Sequence, residues 1–324
     1  MRSLTYVEAL NEALHQLLDE DDRVFLIGQG VTSPWYVGSS CVGLKDKFGE
    51  RVIDSPVSEN AVTGVAVGAA LAGLRPILVH PRLDFMYYAM DPIANQASNW
   101  FYMYGGRLSI PITIWGIINR GGEQGAQHSQ AIQAIFAHLP GIKVVMPSTP
   151  YDAKGLLRSA VFDDNPVMFI DDRWLYRLKG EVPERRYFVP IGRGRVRRKG
   201  KDITIVATSY LVHEALRAAD LLEKRGVDAE VLDPLTIKPL DDSLILSSVR
   251  KTKALMVVDG GWRSFGVAAE IMARIAENRE IMSVKAPLRR VALPDSPAPA
   301  SRSLEKRYFK SADDIAREAL KIIR

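Results

Sequence analysis

Residues 56–76 read PVSENAVTGVAVGAALAGLRP, a run of small and apolar residues in which Ala61, Gly64, Gly68 and Ala72 recur at helical spacing. Residues three and four apart share a helix face, so these four form one stripe that another backbone or a ligand can approach closely. Gly73 supplies the C-terminal stop. Two glycines inside a helix cost roughly 1 kcal/mol each against alanine, so tight packing against a partner helix is expected to offset them. Glu59 stands at the start of this helix, just after a strand containing Val52 and Ile53. It has two readings. One is a first-turn acid that complements the helix dipole; the other is a buried carboxylate that exchanges a proton with a ligand.

Working outward, hydrophobic runs of about five residues alternate with helix-period segments, the pattern of a parallel sheet in an α/β fold. Strands are expected at RVFLIG (23–28), RPILVH (75–80), IPITIWG (110–116), IKVVMP (142–147) and PVMFID (166–171). Thr5 and Glu8 form a capping-box pattern ahead of a helix whose apolar face carries Val7, Leu10, Leu14, Leu17 and Leu18. From Arg173 to about Gly200 the pattern dissolves into a charged stretch that reads as a linker or peripheral hairpin. The alternation then restarts with DITIVAT, DAEVLD and ALMVVDGG and helices between them, which makes a second α/β domain. Ser311 is the expected N-cap of the last helix.

Bulk properties narrow the class. The 324 residues carry a formal charge of +5 and one cysteine, Cys41, which has no internal disulfide partner and suits a reducing compartment. No long apolar run suggests a membrane span, and the first 22 residues read as an acidic amphipathic helix rather than a signal or transit peptide, so a cytoplasmic location is expected. Six of the nine residues 193–201 are basic. Because they alternate with Val196 and glycines and lead into a strand, a solvated face is favoured over a nucleic-acid site.

Two further stretches carry candidate chemistry. In HPRLDFMYYAMDPIANQASNWFYMYGG (80–106), Asp91, Asn95 and Asn99 share an i, i+4 row and give one helix a polar seam, while Phe85 lies at a strand-to-helix corner where a ring can stack on a heterocycle. In GGEQGAQHSQ (121–130), His128 closes a glycine-rich loop after a strand. It is a hydrogen-bonded loop residue or an acid–base group; no second ligand at chelating spacing supports a metal. Walker, G-x-G-x-x-G and G-x-S-x-G motifs are absent.

The helix stretch, together with DFMYYAMDPIANQASNWFYMYGG, GAQHSQ, PGIKVVMPSTPYDAKGLLRSA and DDNPVMFID, resembles the beta chains of the thiamine-diphosphate decarboxylase component of 2-oxo acid dehydrogenase complexes: pyruvate, branched-chain and acetoin dehydrogenases. The resemblance continues through VHEALRAADLLEKRGVDAEVLDPLTIKPLD and LEKRYFKSADDIAREAL, so it covers nearly the whole chain. It implies two doubly wound α/β domains: a transketolase-type pyrimidine-binding domain at residues 1–180, a linker at 181–200 and a transketolase C-terminal domain at 201–324. It also implies that Glu59 hydrogen-bonds the aminopyrimidine of thiamine diphosphate, that Phe85 stacks on that ring, and that Val57 contacts it through the backbone. His128 then lines the substrate channel. Backbone groups at Ile112, Ala160, Val161, Asp163 and Asn165 match a family potassium site.

The Gly-Asp-Gly motif and downstream Asn that hold magnesium and the diphosphate are missing. The resemblance assigns them to an alpha subunit, so the expected assembly is an alpha2beta2 heterotetramer, inactive without alpha, with a lipoyl acyltransferase core as a further partner. Neither nucleic acid nor membrane is expected to bind. Two departures stand out. Pro81 and Arg82 replace a glutamine and an aromatic, and Gly260 replaces a glutamate. Arg82 is therefore a candidate for binding an anionic substrate group. A split transketolase acting on sugar phosphates, and a non-catalytic interaction subunit, are the alternatives.

Overall fold

The computed structural model describes residues 2–33, 37–278 and 288–323. In its first part the elements run β1 (Arg2–Thr5), α1 (Tyr6–Glu20), β2 (Val24–Gly28), α2 (Leu44–Phe48), β3 (Val52–Asp54), α3 (Glu59–Leu71), β4 (Arg75–His80), α4 (Trp100–Met103) and β5 (Thr113–Ile118). Then follow α5 (Gln133–His138), β6 (Lys143–Val145), α6 (Pro150–Val161), β7 (Val167–Asp172), β8 (Lys179–Val182), β9 (Arg195–Arg198) and β10 (Ile203–Ala207). The last part holds α7 (Leu211–Glu223), β11 (Ala229–Asp233), β12 (Thr236–Lys238), α8 (Asp242–Thr252), β13 (Leu255–Trp262), α9 (Val267–Glu277), β14 (Arg289–Leu293), α10 (Arg302–Tyr308) and α11 (Ala312–Ile323). These form two compact units, Met1–Asn119 with Ile135–Ile191, and Arg120–Ala134 with Gly192–Arg324.

In the first unit six parallel strands lie in the order β6-β7-β5-β4-β2-β3. The chain begins in the sheet at β2, adds β3 on one side and β4 on the other. Such a reversal opens a crevice beyond the carboxyl ends of the strands, where ligands of open α/β sheets bind. Val57 and Glu59 follow β3, and Arg82 and Phe85 follow β4, so all four lie beyond the carboxyl ends of the two strands that flank β2. Strand packing is close here: a Cβ at Gly28 would lie 2.4 Å from the Val79 carbonyl oxygen, which demands glycine.

The expected capping box is present. Thr5 Oγ1 accepts from the Glu8 N–H at 3.3 Å and the Thr5 N–H donates to the Glu8 carboxylate at 2.7 Å, which holds the Glu8 carboxyl below its ordinary range. Tyr6, Ala9, Leu10, Ala13, Leu14, Leu17 and Leu18 are buried along α1, whereas Val7 is only half-buried at the edge of that face. Each leucine placed there contributes roughly 1.5–3 kcal/mol by leaving water. At the other end Arg51 donates to the Leu18 and Asp21 carbonyls, satisfying groups that the helix terminus leaves open, and to the Val24 carbonyl at the start of β2.

In the second unit the order is β14-β13-β10-β11-β9, parallel except for β9, which runs antiparallel to β11. Side chains alternate across β10. Ile203, Ile205 and Ala207 pack with α7 and α11, while Thr204, on the opposite face, bonds Ser248 and Thr252 of α8 at 2.6 and 2.7 Å. Helices on both faces make this sheet doubly wound. The stretch 173–200 holds β8, paired with β1, and β9, paired with β11, so its two strands lie in different sheets. Within its basic run Arg197 pairs with the buried Asp233, and Arg198 with Asp220 and Glu223. The expected N-cap at Ser311 is also found, accepting from the Asp314 N–H. No helix among the described residues is long and apolar enough to cross a membrane.

Candidate active site

Glu59 opens α3, half-buried, with Ser58 as an N-cap that makes no side-chain capping bond. Its backbone carbonyl accepts from the Thr63 hydroxyl at 2.7 Å, and Thr63 Oγ1 lies 3.1 Å from Nε2 of the buried His80. A hydroxyl has one proton, here committed to Glu59, so His80 must donate through Nε2–H. Burial lowers the His80 pKa to about 4, which keeps the ring neutral. The His80–Thr63–Glu59 chain thus pins the first turn of α3 from the end of β4. Thr63→Val should lower stability by about 1–3 kcal/mol, because the His80 N–H is left buried without its acceptor. Thr63→Ser should not; thermal denaturation of the pair checks this.

The carboxylate of Glu59, unlike its backbone, has no partner among the described residues. It is held in place by the turn and left available to a ligand. Beside it Val57 is 72% exposed, and the stripe Ala61, Gly64, Gly68 and Ala72 faces outward, with open space where Cβ atoms at the two glycines would lie. Gly73, at φ +93°, ends the helix as expected. Phe85 is half-buried in a 3-10 helix, Leu83–Ala89, that packs against α3. Arg82, also half-buried, donates to the Pro81 carbonyl at 3.0 Å.

One expectation needs correction. Residues 83–103 do not form a single helix with a continuous polar seam: they break into the 3-10 helix, a π-helix at Pro92–Ala97, and α4. Pro92 lacks the N–H that a regular turn would use, and the Ser98 N–H reaches back to the Ile93 carbonyl, five residues away. Asn95 still bonds Asp91 at 2.7 Å, but Asn99 turns to the Ala94 carbonyl. Around this segment Tyr88, Tyr102 and Met103 are exposed, a concentration of apolar surface typical of an interaction face.

His128 belongs to the second unit and is half-buried. Its loop has no regular structure from Gly121 to Ile132, and four residues, Gly121, Gly122, Glu123 and Gly125, have positive φ. The candidate residues thus fall into two sets: Val57, Glu59, Arg82 and Phe85 in one unit, His128 in the other.

Comparison with known proteins now decides the family. Residues 2–179 match the transketolase pyrimidine binding domain and residues 192–315 the transketolase C-terminal domain. The chain is 40% identical to the beta subunit of acetoin:2,6-dichlorophenolindophenol oxidoreductase of Cupriavidus necator, over 100% of this chain and 98% of that one. It is 41% identical to the mitochondrial pyruvate dehydrogenase E1 beta subunit of Drosophila melanogaster, over 99% and 90%. It is 40% identical to the 2-oxoisovalerate dehydrogenase beta subunit of Bacillus subtilis, over 97% of each. The chain belongs to the 2-oxo acid dehydrogenase E1 beta family. Its fold also matches a split-gene transketolase described as an inactive beta4 tetramer, with a TM-score of 0.80 and 23% identity over 99% and 98% of the two chains.

Two features of this E1 beta chain bear on what its sequence suggested, one at a departure and one at a match. A Cβ at Gly260 would lie 3.1 Å from Nη2 of the buried Arg120, whose guanidinium sits over the Tyr210 ring, so a glutamate there would meet the guanidinium directly. Of the backbone groups matched to potassium, the Val161 and Asp163 carbonyls accept from Arg75 at 3.0 and 3.1 Å, the Ile112 carbonyl accepts from the Val167 N–H, and the Asn165 N–H bonds the Asp163 carboxylate. Among the described residues no cluster of three or more His, Cys, Asp or Glu side chains could hold a metal. Burial pushes the Cys41 thiol up to about 12, which makes it inert.

Sequence reasoning passed over a buried carboxyl at a strand end of the first sheet. Asp171, fully buried at the end of β7, has its carboxyl pushed up to about 8 by burial. The Tyr176 hydroxyl and Trp115 indole oppose this but neither reaches hydrogen-bonding geometry. A strand-terminal aspartate reads in sequence as a surface residue, so only the tertiary environment reveals it.

Proposed function

We propose that this chain is the beta subunit of a thiamine-diphosphate-dependent 2-oxo acid dehydrogenase, which decarboxylates a 2-oxo acid and passes the acyl group to a lipoyl carrier only when joined to an alpha subunit. The observation that carries the reading is the Glu59 carboxylate, without a partner among the described residues and fixed at the start of α3, in a chain similar along its whole length to E1 beta subunits. The residues fit the pyrimidine half of the cofactor. Glu59 is free to hold or release a proton at a ring nitrogen, the exposed Val57 backbone is open to an amine, and Phe85 offers a ring beside α3. When bound, thiamine diphosphate supplies the carbon nucleophile and the electron sink for decarboxylation.

The chain's own residues then divide the work. Glu59 moves a proton; Phe85 and Val57 orient; Arg82 holds an anionic group of the substrate; His128 holds or delivers a proton at the reacting oxygen. An alpha subunit supplies the magnesium and diphosphate site, and the outward small-residue stripe of α3 with the exposed aromatics suits it to subunit packing in an alpha2beta2 tetramer. A lipoyl acyltransferase core is the downstream partner.

The test is reconstitution with the alpha chain, assaying 2-oxo acids with a lipoyl acceptor against ketose and aldose phosphates. Turnover of sugar phosphates alone would favour a split transketolase. Full activity of the chain without alpha would contradict the shared site. An Arg82→Ala variant with an unchanged substrate profile would remove Arg82 from the scheme.

Potassium is the remaining element of the proposal. A carbonyl oxygen has two lone pairs, so a cation can share the Val161 and Asp163 oxygens with Arg75, although like charges oppose each other there. If it binds, the apparent Tm should be higher in potassium chloride than in choline chloride at equal ionic strength. Equal values would leave those carbonyls to Arg75.

A further inference from the structure

We propose that Gln133 with Asp259, and Glu305 at the opposite end, form a clamp that positions His128 for the reaction. This inference rests on the role assigned to His128 above. The loop from Gly121 to Ile132 has no ladder or helix of its own; Gln130 donates to the Ala126 carbonyl at 3.2 Å, and Glu123 adopts φ +62°, which non-glycine residues rarely take. Contacts from outside the loop fix its two ends.

Two anchors do this, one five residues before His128 and one five residues after. At Glu123 the backbone N–H donates to the buried Glu305 carboxylate of α10 at 2.8 Å, and the side chain pairs with Arg302 at 2.9 Å. At Gln133 the side-chain amide donates to Asp259 of β13 at 2.7 Å. Asp259 is itself rigidly held, accepting from the Gly261 N–H at 3.1 Å and the Ala268 N–H at 3.2 Å, so it joins the end of β13, the first turn of α9 and the loop. Close approach is built in as well: a Cβ at Gly261 would lie 3.0 Å from the Ala131 carbonyl oxygen. The consecutive glycines of β13 thus let the loop lie against the strand, and the carboxylate before them fastens it.

Gln133 and Glu305 touch neither substrate nor cofactor in this scheme, so they are positioning residues. The reconstituted enzyme would be assayed with Gln133→Leu, which keeps the side-chain volume, with Glu305→Gln, and with His128→Gln as reference. A displacement of about 1 Å can cost on the order of 100-fold in rate. Gln133→Leu should therefore lower kcat for lipoyl acylation by about 10- to 100-fold. The KM for the oxo acid and the cofactor Kd should stay within about twofold of wild type. It should also displace the limb of the pH–rate profile that His128→Gln abolishes. Hydrogen exchange of amides 121–132 should accelerate in both clamp variants while β10 and β13 remain protected.

Unchanged exchange would overturn the clamp. Faster exchange with unchanged kcat, while His128→Gln is inactive, would overturn its positioning role, as would parallel loss of activity, cofactor affinity and Tm. Full activity of His128→Gln would instead refute the assigned role of the histidine, and with it the catalytic purpose of the clamp; exchange would still report the anchoring.

Discussion

Glu59→Gln in the reconstituted alpha–beta enzyme is expected to reduce turnover by about 100- to 10,000-fold while leaving the assembly intact. The amide keeps the size of the carboxylate and the first turn of α3, which is held through the Glu59 backbone by Thr63 and not through the side chain. What it loses is the capacity to take and return a proton. Size-exclusion mass and Tm should match wild type, and, on the proposed division of the site, thiamine diphosphate should still bind. Activity within tenfold of wild type would remove Glu59 from the proton path, and a shift in oligomeric mass would mean that the side chain serves assembly instead.

The second large effect is on stability. Asp171 has a folded-state pKa of about 8, far above that of an exposed aspartate. As pH rises above about 4 the unfolded chain ionises while the folded chain keeps its proton, so the unfolded state binds fewer protons and stability falls, by roughly 1.4 kcal/mol per pH unit as an upper limit, until the folded carboxyl titrates. His80 acts in the opposite sense. Its folded pKa of about 4 lies below the ordinary histidine value, so its contribution is complete above about pH 6.5 and is lost as pH falls toward 4. Between these limits the two oppose each other, and from about pH 6.5 to 8 the Asp171 slope stands without that compensation. Asp171→Asn should accordingly be more stable than wild type at pH 8, with a flatter dependence of apparent Tm on pH over that interval. An Asn variant less stable at pH 8 would mean that the carboxyl makes bonds in the fold worth more than the desolvation it suffers.

Much of the fold was legible because its signals are local. Five strands of the first sheet were read from short apolar runs, RPILVH over the full length of β4; the Thr5–Glu8 capping box was read from a pair of residues three apart, and the Ser311 cap from its place just ahead of the last helix. Gly73 was read as a stop because only its backbone freedom suits that turn. Local pattern failed where geometry was irregular. Asp91, Asn95 and Asn99 keep helical spacing, yet Pro92 and the widened turn after it place their side chains on different partners. It also failed where burial came from distant residues: nothing near Asp171 or His80 in sequence announces that either is enclosed. For the candidate site, the small-residue stripe and the strand-end positions of Glu59 and Phe85 were readable, whereas Thr63, Gln133, Asp259 and Glu305 were not, because their importance lies in contacts with residues remote in the chain.

The allotment of Arg120–Ala134 to the second unit has a consequence for how such chains can be recombined. A chimera that joins the first 190 residues of one family member to the last 130 or so of another respects the linear boundary but splits a physical one, since it seats one parent's histidine loop on the other parent's strand end and helix. Exchanges that carry residues 120–134 along with 192–324 keep that fit. In evolutionary terms the loop should drift in step with β13 and α10 rather than with the strands on either side of it in sequence, so that inheritance within this gene follows spatial neighbourhoods more closely than reading order.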